Sequence, residues 1–108
     1  MSAITDLPTL QAALRDFAAA RDWQQYHTPK NLAMALIVEA AELVEHFQWA
    51  TPEESMQLSP EKLGKIRDEM ADTLIYLVEL ANVLDVDLIA AAREKITKTA
   101  LKYPAKEG

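Results

Sequence analysis

The sequence contains no cysteine and only two glycines among its 108 residues. Without cysteine the chain can form neither a disulfide framework nor a thiolate metal site, and the absence fits a reducing compartment. The scarcity of glycine, together with abundant alanine and leucine, favours an ordered helical protein over a disordered or all-β one. The chain also lacks internal repeats, low-complexity tracts and glycine-rich loops.

Export and membrane signals are missing as well. The first residues do not combine a basic segment with an apolar one, and acidic residues interrupt the long apolar runs well short of a membrane span. We therefore expect a soluble, cytoplasmic chain that has no membrane partner.

Basic residues are absent from residues 31–61, and the middle of the chain is strongly acidic. Residues 31–92 hold twelve acids against three bases, whereas residues 93–108 hold two acids against five bases, and the net charge is −6. A duplex-binding protein should carry a basic stripe with few acids, so a nucleic acid polymer is not an expected partner. A metal-chelated small polyanion fits better, because cations neutralise the acidic centre while the basic tail reaches the anion.

Helical periodicity and capping residues predict an all-α fold with four main helices. The predicted helices cover approximately residues 7–22, 29–49, 60–84 and 88–101, and residues 50–59 are expected to form a loop with one helical turn. Short connections favour an antiparallel four-helix bundle whose two long central helices are the second and the third. A single domain over residues 1–108 is near the low end for a self-sufficient core, so we expect an oligomer.

A ladder of carboxylates on the second helix, from Glu39, Glu42 and Glu45, lies beside apolar positions. A spacing of three residues places these side chains on one helical face. The third helix repeats the pattern with Glu69 and Asp72. The two acidic faces can therefore meet across the bundle.

The counter-charge for these acids is not supplied locally. The only nearby base, Lys65, precedes Glu69 by four residues, which is the weaker orientation for a helical ion pair. Carboxylates packed together without cations would repel one another and raise one another's pKa. Because oxygen-only ligands favour Mg²⁺ or Mn²⁺ over Zn²⁺, the pattern predicts a site for a hard divalent metal.

Two alternatives to this metal site stay open. Acids three residues apart are common in helices and usually solvated, although their joint occurrence on two helices beside apolar stripes favours the metal. A di-iron carboxylate bundle would need Glu-x-x-His on two helices. Glu42 and His46 are four residues apart and no second such histidine follows, which disfavours the di-iron alternative.

Two acid pairs and several aromatic segments carry a resemblance that covers nearly the whole chain. The acid pairs are Glu39-x-x-Glu42 and, after twenty-six intervening residues, Glu69-x-x-Asp72. The segments are RDWQQYH at 21–27, PKNL at 29–32, ELVEHFQW at 42–49, DTLIYL at 72–77 and KYP at 102–104. With these features the sequence resembles the MazG-type all-α nucleoside triphosphate pyrophosphohydrolases, and within them the dCTP pyrophosphatase branch.

The resemblance implies a reaction and a ligand set. The reaction is hydrolysis of a (deoxy)nucleoside triphosphate between its α and β phosphates, with Mg²⁺ (or Mn²⁺ as a substitute), to the monophosphate and pyrophosphate. By motif match the metal ligands are Glu39, Glu42, Glu69 and Asp72. Glu45, one turn beyond the first pair, is a candidate to orient or deprotonate the attacking water, and a solvated third rung is its alternative.

The resemblance also implies a base and sugar pocket lined by Trp23, His27, Trp49 and Tyr76. A pyrimidine stacks well on an indole ring, and Tyr76 follows Asp72 by one turn on the same face. Two of these residues have a structural alternative: for Trp23 it is a hydrophobic plug that closes the end of the bundle, and for His27 it is a cap near a helix start.

The basic tail provides the remaining candidate substrate ligands. Lys95 and Lys102 are candidates to bind the β and γ phosphates. The family pattern closes the site with a lysine, an asparagine four residues later and then Lys-Tyr-Pro, which supports Lys95 and Tyr103. Thr99 stands where that asparagine is expected, and the loss of an amide donor bears on substrate grip or nucleotide preference.

Two functional hypotheses follow. The first is a homodimeric or homotetrameric house-cleaning enzyme that removes surplus or modified pyrimidine nucleotides resembling dCTP. The second is a non-catalytic nucleotide- or metal-binding helical module that retains the scaffold, for which Thr99 is the main sequence argument.

Overall fold

The computed structural model describes residues 3–106, and within this range the chain is helical and contains no strand. The all-α class is therefore confirmed. A short 3-10 turn, Gln24–Tyr26, separates the first two helices. The α-helices are α1 (Leu7–Ala20), α2 (Pro29–Glu45), α3 (Pro52–Ser55), α4 (Pro60–Leu84) and α5 (Leu88–Lys102).

Each helix begins at a capping side chain that the sequence predicts. The side-chain oxygen of the capping residue accepts a hydrogen bond from a backbone N–H in the first turn, which satisfies one of the donors that a helix start leaves free. Proline follows the cap at four of the five starts. The capping residues are Asp6, Thr28, Thr51, Ser59 and Asp87.

The helix ends differ from prediction in two places. The first helix ends at Ala20, and Asp22 then adopts the left-handed conformation with φ of 53°. The second helix ends at Glu45, and residues 46–49 continue only as turns, so the predicted extension to Trp49 is wrong. The third long helix has the predicted bounds and ends at Asp85, where φ is 54°.

The two acid-bearing helices, α2 and α4, pack against each other, and α1 packs against α4. The core between them is small and is built mainly from alanine and β-branched side chains. Its buried apolar residues are Ala18, Leu32, Ile66, Val78 and Ala81. The pairing of α2 with α4 brings the two predicted carboxylate faces together.

The last helix, α5, does not pack along another helix of the same chain. Every residue from 91 to 106 is exposed, including Ile96 and Leu101, whose side chains are 70% and 81% exposed. The predicted four-helix bundle is thus not formed within one copy, where three helices pack together. The apolar periodicity of α5 predicts a helix with an apolar face, but it does not say which part of the protein covers that face.

None of the helices in the described part of the chain is long and apolar enough to cross a membrane.

Candidate metal centre and adjoining cavity

A cluster of carboxylates lies where α2 faces α4. Glu39 comes from α2, and Glu69 and Asp72 come from successive turns of α4. One carboxylate oxygen of each residue lies within 4.8 Å of those of the other two. Oxygen atoms at these separations can bind one small cation jointly.

Glu42 is the fourth acid that the motif match predicts. Its charge raises the pKa of both Glu39 and Glu69, so it lies near both carboxyl groups. The structure therefore brings Glu39, Glu69 and Asp72 together and places Glu42 beside them. The three-residue spacing on each helix and the packing of α2 on α4 account for this arrangement.

The electrostatics of the cluster are dominated by burial and by the mutual repulsion of its acids. Burial raises the pKa of the Glu39 carboxyl, and the charges of Glu42, Asp72 and Glu69 raise it further. Burial likewise raises the pKa of Glu69, with further contributions from Glu42 and Asp72. The Oε2 atoms of Glu39 and Glu69 are buried and accept no hydrogen bond from the described residues.

These orphaned oxygens provide a test of whether a divalent cation fits the donor set. A buried carboxylate oxygen without a partner is costly unless a donor or a cation reaches it. A hard cation would satisfy both oxygens and would remove the mutual repulsion of the acids. The residues present therefore fit Mg²⁺ or Mn²⁺.

The basic groups near the cluster differ from those expected. Lys65 pairs with Glu61, at 3.9 Å, and not with Glu69. His46 lies in the turn after α2, and its Nε2 atom is 4.0 Å from Oε1 of Glu69. Its charge lowers the pKa of Glu69, against the larger effect of burial. His46, which the sequence disfavours as a di-iron ligand, thus lies next to the cluster because it approaches Glu69 of α4.

Tyr76 and Glu79 extend the acidic stripe of α4 beyond Asp72. Burial raises the pKa of the Tyr76 phenol, and the charges of Glu39, Glu79 and Asp72 add to the effect. Tyr76 therefore lies near both the cluster and Glu79. Its ligand-facing role stays a prediction.

Glu79 is a buried acid that the sequence analysis missed. It is 8% exposed, and its Oε2 atom lies 3.8 Å from Nε2 of His27. Burial raises the pKa of Glu79 and the charge of His27 lowers it. The signal in the sequence was its spacing, since Glu79 follows Asp72 by seven residues and Tyr76 by three, which places all three on one side of α4.

A cavity of about 230 Å³ opens beside this buried pair, between α1, the 3-10 turn and α4. Of the predicted pocket residues that the structure describes, His27 alone lines it. The lining residues are Leu14, Arg15, Ala18, Gln24, His27, Glu79, Asn82 and Val83.

The two tryptophans lie away from this cavity. Trp23 packs edge-on against Phe17, with ring centroids 5.5 Å apart, and the Arg21 guanidinium lies 3.4 Å from the Phe17 centroid. This arrangement resembles the plug described as the alternative for Trp23. Trp49 is 89% exposed in a single copy.

The other predicted residues stand outside the cluster. Glu45 is exposed at the end of α2, as a solvated rung would be. The tail residues Lys95, Thr99, Lys102 and Tyr103 are all exposed on or just beyond α5. No hydrogen bond or ion pair found among residues 3–106 joins them to the cluster. One copy of the chain therefore does not bring the basic tail to the acids.

The fold and the site place the chain in a class of all-α proteins whose carboxylates, held between two paired helices, can bind a hard divalent cation. Comparison with known sequences identifies the family within that class. The family model described as MazG-like matches residues 34–108. The chain belongs to the MazG-like family, as its resemblance predicted.

Named relatives cover most of this chain. The protein dCTP pyrophosphatase 1 of Homo sapiens is 44% identical over 103 residues, spanning 91% of this chain and 61% of that protein. The protein of the same name from Bos taurus is 43% identical over 102 residues, spanning 90% and 60%. The chain thus matches about three fifths of the length of these curated relatives.

A solved structure shares the fold over nearly its full length. The crystal structure of a pyrophosphatase from Archaeoglobus fulgidus DSM 4304 superposes with a TM-score of 0.88 at 38% sequence identity. The match covers 97% of this chain and 98% of that one.

Proposed function

We propose that the protein is a cytoplasmic, Mg²⁺-dependent nucleoside triphosphate pyrophosphohydrolase that acts on dCTP-like or modified pyrimidine nucleotides. The observation that carries the proposal is the convergence of Glu39, Glu69 and Asp72, two of which have a buried, unpartnered carboxylate oxygen. The names of the relatives, dCTP pyrophosphatase 1 and a pyrophosphatase, support the reaction type and the base. Mn²⁺ is expected to substitute for Mg²⁺ because the ligands are all oxygen atoms.

The roles proposed for the residues follow from their positions. Glu39, Glu42, Glu69 and Asp72 would hold the metal. When bound, the metal supplies charge neutralisation for the phosphate oxygens and lowers the pKa of water. Glu45, one turn beyond Glu42, is free in the described part of the chain to accept the proton of the attacking water. Cleavage of the α–β anhydride then yields the monophosphate and pyrophosphate.

The tail residues are assigned to the substrate through a second copy of the chain. Because α5 does not pack on its own α2 or α4, its basic and aromatic side chains need another copy to reach an acid cluster. Exposed apolar side chains on three helices favour such an assembly. Ile37 on α2, Leu63 on α4 and Ile96 on α5 are 66%, 52% and 70% exposed. A homodimer or homotetramer would cover them.

In this assembly Lys95, Lys102 and Tyr103 would contact the β and γ phosphates, and Thr99 would contribute a hydroxyl in place of the expected amide. Trp49, which is highly exposed in one copy, would reach the substrate of a second copy, whereas Trp23 packs against Phe17 as a plug. His27 lines the cavity that a single copy builds, and Tyr76 lies near the carboxylate cluster.

Mixing two inactive variants tests whether the site is shared between copies. Glu69→Gln removes a metal ligand, and Lys102→Ala removes a tail lysine. If α5 of one copy serves the cluster of another, a mixed dimer contains one site with both groups intact. Unfolding and refolding the two variants together should then restore about a quarter of the wild-type activity. No recovery by a mixture shown to contain mixed oligomers would contradict the shared site.

A panel of triphosphates tests the reaction. Purified protein with Mg²⁺ and dCTP, dUTP, dTTP, dATP and dGTP is expected to release pyrophosphate and the monophosphate, most rapidly from dCTP. Release of orthophosphate would contradict the assigned bond. Tight binding of a non-hydrolysable analogue without turnover of any triphosphate would favour the non-catalytic module instead.

A further inference from the structure

The cavity beside Glu79 is lined by both apolar and polar groups. Leu14 and Ala18 of α1 and Val83 of α4 are the apolar residues. The polar residues are Arg15, Gln24, His27, Glu79 and Asn82. Pockets that recognise small molecules combine apolar walls with placed polar groups in this way.

The Glu79 carboxyl is a buried acceptor with spare capacity. The residue is 8% exposed, and no described residue donates a hydrogen bond to it. Its partner His27 lies 3.8 Å away, which is an ion-pair distance but exceeds that of a hydrogen bond. A carboxylate in this setting is stabilised by a ligand that donates hydrogen bonds.

Asn82 also lines the cavity, three residues after Glu79 on α4. Its Nδ2 donates to the backbone oxygen of Gln11 at 3.2 Å, which fixes the orientation of the amide. Its Oδ1 is buried and accepts no hydrogen bond from residues 3–106. Because Oδ1 is closed to solvent, the acceptor that the cavity offers to a ligand is the Glu79 carboxylate.

The cavity lies at a suitable distance from the proposed metal ligands. Asp72 and Glu79 are seven residues apart on α4, a rise of about 10 Å. Tyr76 lies within this interval on the same face of the helix, and the charges of Asp72 and Glu79 both raise the pKa of its phenol. This separation is suited to a nucleotide whose phosphates lie at the carboxylate cluster and whose base lies near Glu79.

We propose that this cavity binds the base of the substrate, and that Glu79 selects a cytosine-type ring by accepting a hydrogen bond from its exocyclic amine. The inference rests on the proposed pyrophosphohydrolase function and deepens it. An exocyclic amine carries two N–H donors, and a carboxylate accepts from such donors. Uracil and thymine carry a carbonyl oxygen at this position, which would face the carboxylate as a second acceptor and leave both unsatisfied.

The volume of the cavity, about 230 Å³, is sufficient for a nucleobase. Adenine also has an exocyclic amine, and the volume does not distinguish its two rings from one. The assignment of a single-ring base comes from the proposed dCTP-like substrate.

The variant Glu79→Gln tests the selection, with Glu61→Gln as the matched control. Glu61 is an exposed acid on the same helix, and its Oε1 lies 3.9 Å from Nζ of the exposed Lys65. The measured quantity is the ratio of kcat/KM for dCTP to that for dUTP. Glutamine can offer its amide N–H to the uracil carbonyl and loses the carboxylate charge. We expect the ratio to fall by about ten- to a hundredfold in Glu79→Gln and to stay unchanged in Glu61→Gln.

Several results would overturn the inference while leaving the reaction intact. An unchanged ratio in Glu79→Gln, with a Tm and helical circular dichroism like those of the wild type, would show that Glu79 does not read the base. Turnover of dATP faster than dCTP would contradict the single-ring assignment. In either case continued release of pyrophosphate would still support the proposed function.

Binding of monophosphates without metal provides a readout that does not depend on turnover. Calorimetric titration should show that the wild type binds dCMP more tightly than dUMP and that Glu79→Gln loses this difference. Equal binding of the two monophosphates by the wild type would overturn the inference. If no triphosphate is hydrolysed but the dCMP preference is found, the proposed function fails and the base site stands.

Discussion

Glu69→Gln is expected to reduce pyrophosphate release by at least about a hundredfold, because a metal ligand contributes several kcal/mol of charge stabilisation in reactions of this type. The substitution keeps the size of the side chain and removes its charge. Glu69 has a buried oxygen without a partner and sits among like charges. In metal-free protein the variant should therefore unfold at a Tm equal to or above that of the wild type, so the loss of activity is not a loss of fold.

The neighbouring acid provides the control. Asp68 precedes Glu69 on α4, is exposed and takes no part in the cluster. Asp68→Asn makes the same change of charge on the same helix, and its activity should remain within about twofold of the wild type. Equal activity losses in Asp68→Asn and Glu69→Gln would contradict the assignment of the cluster as the metal site.

Mg²⁺ or Mn²⁺ is expected to raise the Tm, and by more at about pH 7.5 than at about pH 5. The pKa values of Glu39 and Glu69 are raised in the folded protein, so that state holds protons that the unfolded chain releases. Without metal, the contribution of these acids to stability is full below the ordinary glutamate pKa and is lost as the pH rises through the raised values. The metal reverses this, because it binds the deprotonated acids. At about 100 times its Kd, it adds about 2.7 kcal/mol.

Thermal scans in EDTA and in Mg²⁺ at each pH measure this difference directly. Asp6 and Glu54 have lowered pKa values from their capping hydrogen bonds, so their contribution is lost as the pH falls. Because they lie outside the cluster, that contribution cancels between the two scans. A Tm that does not respond to either metal at either pH would contradict a divalent site, and Glu69→Gln should lose most of the response.

Helix starts could be predicted from the sequence because their causes are local. A capping oxygen accepts a hydrogen bond from a free N–H group within one turn, and a proline fits the first turn. Together they set the start of α4 without help from the rest of the chain. The clustering of the acids could also be predicted. A spacing of three residues places the acids of each helix on one face, and the packing of α2 against α4 brings the two faces together.

The position of α5 and the role of Glu79 could not be predicted in the same way. The periodicity of α5 identifies an apolar face, but whether the same chain or another copy covers that face depends on tertiary packing. Glu79 was missed because a single acid within an apolar stretch is usually solvated, and its burial depends on α1 and the 3-10 turn closing over it. The hydrogen bond from Asn82 to Gln11 joins residues 71 positions apart, which no local pattern encodes.

Because α4 is continuous from Asp72 to Asn82, it fixes both the distance and the relative rotation between the carboxylate cluster and the cavity at Glu79. Each residue along it adds about 1.5 Å and a rotation of about 100°. Insertion of one residue between Tyr76 and Glu79 would therefore turn the acceptors of the cavity away from the wall they now line, while the carboxylate cluster stayed intact. The helix thus couples the choice of base to the position of the phosphates by geometry alone, without any moving part.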